Sequence, residues 1–455
     1  MRRRLRSLTS FSISKILDAT RNKRSVALFG ALFIGFFSAM AGLAAQEPSL
    51  TVDLENFTSY FTTQSILRHN RYEIHVKEIV PLSPSLTTVL DLRGRAEAAL
   101  SDINTKILPH YSNAVRDDEL IEGEIRQLYL DWLGNSVRIK MGLLQIDWID
   151  SLSPLTSDVM TPLDLRFGGF GTNKEIIVPE PALDLNHKLF GGTLEWLVVA
   201  LPVTHRLPAG NNGYGFYPYL QNQVTPLAPE LVTGQIPRTL SEVEGGIRYQ
   251  LEFDPLELSF LAYRGHQRTP TLVVGPLGPS SIPITEVYGR ATTLGVSGTY
   301  GTDAAIFRLF TYAEPHRYPA VVSVVPGLDP AGQLPFETRI RVGGGFDYVF
   351  SKHLKLYSEV TGTHTEYPSG QMNYLTTVRV TNESFKNILL SLNTTVGFPK
   401  SSYLITPEMT WTFDSNTKLG LGAHFIHSGD PGSAFEIIKD ASQVYGFFQY
   451  SFALW

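Results

Sequence analysis

Three charged residues, Asp158, Asp164 and Arg166, lie close together in a stretch that begins near Gly142 and follows no regular period. Their carboxylate and guanidinium groups can form ion pairs with charges on a surrounding wall, and a low local dielectric constant would strengthen that attraction. Desolvation of the same groups opposes it. Pro162 would stiffen the stretch because its ring fixes one backbone dihedral angle. The chemistry that these residues offer is pairing and positioning, and it requires a structure that surrounds them.

The sequence carries no catalytic or metal-binding pattern. His424 and His427 are three residues apart, which places them on opposite faces of a strand and makes them unsuitable for one metal ion. No His-Glu-x-x-His, Walker or Gly-x-Ser-x-Gly motif occurs. The absence of cysteine excludes disulfides, thiolate metal sites and cysteine nucleophiles. We therefore predict no enzymatic activity and no cofactor or metal, while a Ser–His pair assembled from separate strands is the alternative that one sequence leaves open.

On both sides of this stretch, apolar and polar side chains alternate. Residues 137–143 alternate strictly, and the longest regular run extends from residue 243 to residue 253. Asp254 and Pro255 then turn the chain into a second alternating run at residues 256–263. A period of two predicts β-strands with one apolar and one polar face. Two such strands joined by a two-residue turn form a hairpin.

The same hairpin recurs along the chain, and longer irregular segments separate the hairpins. Short turns that alternate with long loops are typical of an outer-membrane barrel. We predict an all-β protein, a transmembrane antiparallel β-barrel of about 18 strands, or about 16 if residues 374–380 do not form a strand. The irregular stretch described above belongs to the third long loop. The predicted long segments are residues 58–71, 98–120, 145–181, 202–238, 266–285, 315–337 and 429–440.

The alternation also predicts which charged residues face the interior of the barrel. Both signs of charge are expected there, and a mixed wall favours weak ion selectivity because selective filters use rings of one sign. Apolar residues on the opposite face, such as Ile247, Leu251, Phe307 and Leu309, are expected to contact lipid. The predicted pore-lining residues are Arg138, Lys140, Glu244, Arg248, Arg339, Arg341, Asp347, Lys355 and Glu359.

The first 45 residues differ in composition from the rest of the chain. Their charges are mostly basic, and an apolar run at residues 26–45 ends in small residues. This pattern predicts a secretory signal peptide at residues 1–45 and a barrel at residues 46–455. A retained membrane anchor is the alternative, because the run is about long enough to span a bilayer. The remaining chain is strongly acidic, which argues against nucleic-acid binding. We predict location in the bacterial outer membrane, in contact with its lipid.

Residues 445–455 resemble the C-terminal signal of bacterial outer-membrane barrels, an amphipathic last strand that ends on an aromatic residue. This resemblance implies the barrel-assembly machinery as a partner. One departure concerns Trp455, which does not share the face of Phe448, Tyr450 and Phe452. An ordinary buried strand is the alternative interpretation.

Residues 142–166 resemble a motif of large porin-like outer-membrane proteins of Gram-negative bacteria. That motif reads approximately Gly-Arg and Gln, then Trp-Gly, then Asp-Val-x-x-Pro-Arg-Asp-Leu-Arg. The departures are Leu143, Ile149 and Leu163, where the motif has Arg, Gly and Arg. The matching residues, in chain order, are Gly142, Gln145, Trp148, Asp158, Val159, Pro162, Asp164, Leu165 and Arg166.

The resemblance implies a role for the third loop. In porin-type barrels this loop commonly folds into the lumen, so we expect it to narrow the pore here. The constriction residues would be Trp148, Asp158, Pro162, Asp164 and Arg166. A packed plug, or a surface loop without a gating role, is the alternative.

The sequence therefore predicts a monomeric or homotrimeric channel that passes small solutes by diffusion. Two apolar segments, at residues 272–277 and 321–326, are the basis for an alternative function, a conduit for hydrophobic or lipid-like molecules. The long loops are the basis for a further alternative, a surface-binding protein that recognises a partner.

Overall fold

The computed structural model describes most of the chain, with gaps. Residues 49–62, 66–97, 121–148, 160–166, 176–206, 228–232, 239–274, 281–319, 321–323, 335–366, 372–429 and 441–453 are described, together with residues 234, 236, 370, 435 and 438. The predicted signal peptide, Asp158 and Trp455 lie outside these residues.

The described residues form 22 strands. In chain order they are β1 (Ser49–Phe61), β2 (Ile66–Ser83), β3 (Leu86–Glu97), β4 (Ile121–Leu133), β5 (Val137–Leu144), β6 (Glu180–Leu189), β7 (Gly192–Val199), β8 (Ala228–Val232), β9 (Glu244–Phe253), β10 (Leu256–His266), β11 (Thr271–Val274), β12 (Ser281–Val287), β13 (Arg290–Gly301), β14 (Ala305–Arg317), β15 (Val321–Ser323), β16 (Glu337–Ser351), β17 (Leu354–Thr365), β18 (Met372–Phe385), β19 (Ile388–Phe398), β20 (Ser402–Thr412), β21 (Thr417–Ser428) and β22 (Gln443–Ala453).

Eighteen of these strands form one closed antiparallel sheet. Each strand of this sheet pairs with the next along the chain, and β1 pairs with β22, which closes the ring. The strand over residues 374–380 is present as part of β18, so the larger strand number is confirmed. Closure satisfies the backbone hydrogen bonds of every strand edge, which is the condition for crossing a bilayer with strands.

Short turns join the strands at one end of the barrel, here called the turn end. The longer connections lie at the other end, the loop end, where the connections 62–65 and 399–401 are short as well. Residues 134–136, 190–191, 254–255 and 352–353 are examples of the turns. The third connection at the loop end, residues 145–179, is called the third loop below. A long third loop was predicted and is confirmed.

Two of the predicted boundaries are wrong. Residues 58–71 were expected to be a long loop, but β1 extends to Phe61 and β2 begins at Ile66. Polar residues interrupt the apolar alternation there, yet the backbone ladder continues, and the Asn56 side-chain amide donates to the carbonyl of Arg71 at 3.2 Å. Residues 266–285 were also expected to be a long loop, but β12 begins within them at Ser281. Gly289 lies at the break between β12 and β13, where a Cβ would collide with the ring of Tyr318.

The other four strands form a second, smaller sheet that is not part of the ring, in the order β15, β11, β12 and β8. Strand β11 pairs antiparallel with β12 and parallel with β15. Leu272 and Val273 of β11 and Ile284 of β12 are buried. The described apolar residues of segment 272–277 are therefore packed in a sheet and do not by themselves support a hydrophobic conduit.

The outer face of the barrel is apolar. On β13 and β14, Leu294, Val296, Phe307 and Leu309 are exposed, and Leu309 retains 71% of its surface. An apolar belt of this extent is unfavourable in water and matches the hydrocarbon of a bilayer. Among the described residues, no helix has the length and apolar character needed to cross a membrane.

Candidate functional site in the barrel interior

The predicted pore-lining residues of β5 lie on the inner face, opposite the exposed apolar side chains. The Arg138 guanidinium donates two hydrogen bonds to Asp131 on the neighbouring strand, at 2.9 and 2.5 Å. Lys140 Nζ lies 3.9 Å from a carboxylate oxygen of Asp184. These charges are paired along the wall near the turn end. Their partners belong to strands β4 and β6 and not to the third loop.

On the opposite wall, the predicted residues of β16 also pair with their neighbours. Arg339 forms an ion pair with Glu314 of β14. Arg308 of β14 donates to both carboxylate oxygens of Asp347, at 2.8 and 2.5 Å. Arg341 and Glu359 are buried on the same face, and Lys355 Nζ lies 3.7 Å from Glu383. Charges of both signs thus lie side by side on this wall.

The described part of the third loop is built into a small network of backbone hydrogen bonds. The Val178 N–H donates to the Pro162 carbonyl at 2.8 Å, and the Asp164 N–H donates to the Ile176 carbonyl at 2.6 Å. An isolated parallel bridge pairs Asp164 with Arg206, in which the Arg206 N–H donates to the Leu163 carbonyl at 2.9 Å and the Leu165 N–H donates to the Arg206 carbonyl at 2.9 Å. The two ends of the loop and the segment after β7 therefore hold one another in place.

Apolar side chains attach this network to the barrel wall. Ile146, Trp148 and Met160 of the third loop belong to one buried cluster with Tyr263 of β10 and Tyr312 of β14. The loop therefore lies against inner-face residues of strands several places further round the ring. Pro162 and Leu163 are buried as well.

Trp148 is also fixed by polar contacts. Its indole N–H donates to Glu195 Oε1 of β7 at 2.7 Å. The other oxygen of that carboxylate accepts from Arg248 Nε at 2.8 Å, and the Arg248 guanidinium lies 5.3 Å from the centroid of the Trp148 ring. The structure thus joins two predicted site residues, Trp148 and Arg248, through Glu195, which sequence reasoning missed.

Asp164 and Arg166 lie in a second group of charges, the Asp164 cluster, which also contains Glu122 and Arg206. The Arg166 guanidinium is 2.7 Å from Asp164 and 3.0 Å from Glu122, and Arg206 is 3.5 Å from Glu122. Burial alone would raise the pKa of Asp164, but the hydrogen bonds and charge of Arg166, with Arg95 and Arg206, lower it well below its usual range. The carboxylate therefore stays ionised.

A third group, the Arg268 cluster, comprises Arg268, Glu180, Glu244 and Tyr263, and it is buried. Arg268 Nη2 lies 3.0 Å from Glu180 and 2.8 Å from Glu244, and Tyr263 donates a short hydrogen bond to Glu244. Burial alone would lower the pKa of Arg268, but the neighbouring carboxylates raise it above its ordinary value, so the guanidinium stays charged.

Arg268 also holds two loops by their backbones. Its Nε donates to the Met160 carbonyl at 3.0 Å, and its Nη1 donates to the Val203 carbonyl at 3.0 Å. Glu180 accepts from the Val203 N–H at 2.8 Å. One buried guanidinium therefore connects the third loop, the segment after β7 and the strand that carries Glu244.

Part of this site was accessible from the sequence. Glu244 was predicted as a wall residue, but its buried partner Arg268 lies in a segment without any period and gave no signal. Glu195 and Glu122 are the inner-face charges of strands that were predicted, so the same alternation could have identified them. Asp158 lies outside the described residues.

The comparisons with known proteins agree with the fold. The chain is similar to OccAB1 of Acinetobacter baumannii, with a TM-score of 0.51, 8% identity and coverage of 90% of this chain and 96% of that chain. It is similar to the outer membrane protein OpdK of Pseudomonas aeruginosa, with a TM-score of 0.50, 9% identity and coverage of 90% and 99%. For OccAB2 of A. baumannii the corresponding values are 0.50, 11%, 90% and 98%.

No protein-family model matches the sequence, and no curated protein matches it. The structural likeness, together with the closed ring and the apolar outer face, identifies an outer-membrane β-barrel with a porin-like fold.

Proposed function

We propose that this outer-membrane β-barrel is a channel through which small solutes diffuse, and that the third loop narrows it. The observation that carries the proposal is the position of the loop. Its described residues are buried against the inner faces of β7, β9, β10 and β14, whereas a surface loop would remain at the loop end.

The charges of the interior support passage of hydrated solutes. Inner-face residues of both signs alternate along the wall, in pairs such as Arg308 with Asp347 and Arg138 with Asp131. Paired charges keep the surface wettable without creating a strong field of one sign. We therefore expect weak selectivity between cations and anions.

The resemblance to the porin-like motif fits this proposal at the positions that match. Trp148, Asp164 and Arg166 are among the residues that attach the loop to the wall and to β4. Leu163, which replaces the second arginine of the motif, is buried with Ile176 and Ile177. An arginine at this position would require a different local packing, so we propose that the pore-facing charge of the motif is not used here.

The proposal applies to a single barrel and to a homotrimer alike, because the described residues of the third loop contact the wall of their own chain. Either assembly would give open currents.

Single-channel recording in planar bilayers tests the proposal. The purified barrel should give stable open currents, with a reversal potential close to zero in a gradient of KCl. A parallel preparation of detergent without protein is the control. A folded barrel that inserts and gives no current would refute the channel and would favour the surface-binding or hydrophobic-conduit alternatives.

A further inference from the structure

A cavity lies on the outer face of the barrel wall, near the loop end and away from the interior site. Its volume is about 350 Å³. It is lined by residues of β10, β13 and β14, by Tyr318 just after β14 and by Phe336 just before β16. On β10, Arg264 lies four residues after the exposed Phe260 and therefore shares its outward face. The cavity therefore opens toward the surroundings of the barrel.

The lining combines positive charge with aromatic rings. Arg264 and Arg290 contribute two guanidinium groups, and His316 contributes an imidazole. Phe336 stacks on Tyr318 with ring centroids 5.1 Å apart, and it also meets His316 edge-on at 6.0 Å. Guanidinium groups bind phosphate through charge-assisted hydrogen bonds in fixed geometry.

The two arginines differ in how far their charge is already neutralised. Arg290 donates to Glu242 at 3.1 Å and to the Ser241 carbonyl at 2.5 Å. Arg264 is exposed and makes no hydrogen bond or ion pair with any residue in the described ranges. An exposed, outward-pointing arginine on a membrane barrel is costly in hydrocarbon and stable at the level of lipid headgroups.

The backbone at His316 departs from a regular strand. Its φ angle is +61°, and the pairing of β14 with β16 shifts register between Glu314 and Arg317. Non-glycine residues in this conformation are uncommon and are often found at ligand sites. His316 and Tyr318 both line the cavity, and Arg317 between them is buried.

The position of the cavity along the barrel axis indicates which class of ligand it could bind. Directly toward the turn end, on the same faces of β13 and β16, the exposed residues become apolar, with Leu294, Val296, Ile340 and Val342. The cavity thus lies where the apolar belt ends on the loop side, and long loops of such barrels face the outside of the cell. That level is occupied by the phosphorylated saccharide headgroups of outer-leaflet lipid.

We propose that this cavity binds a phosphate group of an outer-leaflet glycolipid, with Arg264 as the principal contact and the Tyr318–Phe336 pair beneath the sugar. The acyl chains would lie along the apolar face formed by Leu294 and Val296. This site is separate from the interior site, because none of the residues that line the cavity belongs to the interior clusters described above.

Native mass spectrometry of the detergent-refolded barrel, titrated with diphosphoryl lipid A, tests the proposal. The unaltered protein should bind one lipid with high occupancy. Arg264→Glu should weaken binding about tenfold or more, as expected for the loss of a charge-assisted contact and the gain of a repulsive charge. Arg264→Lys, which keeps the charge, should retain most of the affinity.

The matched control is Lys386→Glu, an equal charge change at an exposed position of the turn end. It should leave affinity within about twofold, because screening removes its influence at that distance. Heat-modifiable migration in gels verifies that all variants are folded.

Three results would overturn the proposal. Equal weakening by Arg264→Glu and Lys386→Glu would show attraction by overall charge only. Equal binding of phosphatidylethanolamine would show that phosphorylated saccharide is not recognised. Saturation by inorganic phosphate at millimolar concentration, with displacement of the lipid, would assign the cavity to a free anion.

Discussion

The two charged clusters that hold the third loop differ in their contact with solvent. In the Arg268 cluster, the side chains of Arg268, Glu180 and Glu244 retain 0, 1 and 0% of their surface. In the Asp164 cluster, exposure rises from 4% for Asp164 to 31% for Arg206. Buried pairs escape screening by salt but carry a large desolvation cost, whereas partly solvated pairs are weaker and adjustable.

This difference assigns different roles to the two clusters. Arg268 bonds to backbone carbonyls of two loops as well as to two carboxylates, so its position is fixed from several directions. Arg166 bonds to the buried Asp164 and to Glu122, which retains 18% of its side-chain surface. The first cluster therefore fixes the backbones of Met160 and Val203, whereas the second joins side chains of which several are partly exposed.

The largest expected effect is that of Arg268→Met. This substitution leaves Glu180 and Glu244 buried without their cation, and breaking a buried pair from one side costs about 3–5 kcal/mol. The midpoint of urea unfolding in detergent should fall accordingly. Arg264→Met, which removes an exposed arginine four residues earlier, is the control and should shift the midpoint little. Equal midpoints for both variants would contradict the role given to Arg268.

A smaller effect is expected for Trp148→Phe. Phenylalanine keeps much of the apolar packing but cannot donate to Glu195, which remains bonded to Arg248. The expected loss is about 2 kcal/mol in the free energy of unfolding. Trp196→Phe is the matched control, because Trp196 is 49% exposed on the lipid-facing side. A larger loss for Trp196→Phe would place the anchoring role outside the interior.

The smallest effect is expected for Asp164→Asn, about 1–2 kcal/mol, because Arg166 and Arg206 remain partly solvated. Because the pKa of Asp164 is lowered in the folded protein, the free energy of unfolding should decrease at acidic pH. The stabilisation is fully present above the unfolded pKa, near 4, and is lost as pH falls toward the folded pKa. Unfolding measured from pH 7 to pH 3 should show this acid loss in the unaltered protein and a weaker one in the variant.

The two clusters should also differ in how strongly their contribution to stability depends on salt. Added NaCl should reduce the difference between Asp164→Asn and the unaltered protein and leave the effect of Arg268→Met nearly unchanged. Arg138→Ala, which breaks a pair that is 48% exposed on the arginine side, serves as the reference for a fully screened contact. A salt dependence as strong for Arg268 as for Asp164 would remove the distinction between them.

The sequence predicted the ring of strands better than the site inside it. A period of two is a local property, so alternation such as that of residues 243–253 identifies a strand and its inner face without knowledge of its neighbours. The same rule placed Glu244 and Arg248 on the wall.

The contacts between loops and wall could not be predicted in the same way. Arg268 meets Glu180 across 88 positions of the sequence, and Trp148 meets Arg248 across 100. Such contacts depend on ring closure and on the path of irregular segments, neither of which leaves a periodic pattern. The extended ends of β1 and β2 were missed for a related reason, because strand ends beyond the bilayer need no apolar face.

The most direct test of the central claim is the single-channel conductance of a variant that lacks residues 151–163, compared with the unaltered protein. A variant that lacks residues 325–334, from the connection between β14 and β16, controls for the loss of loop length, and heat-modifiable migration verifies folding. The account predicts that conductance rises when the third loop is shortened and stays constant in the control. Unchanged conductance after removal of residues 151–163 from a folded barrel would contradict it.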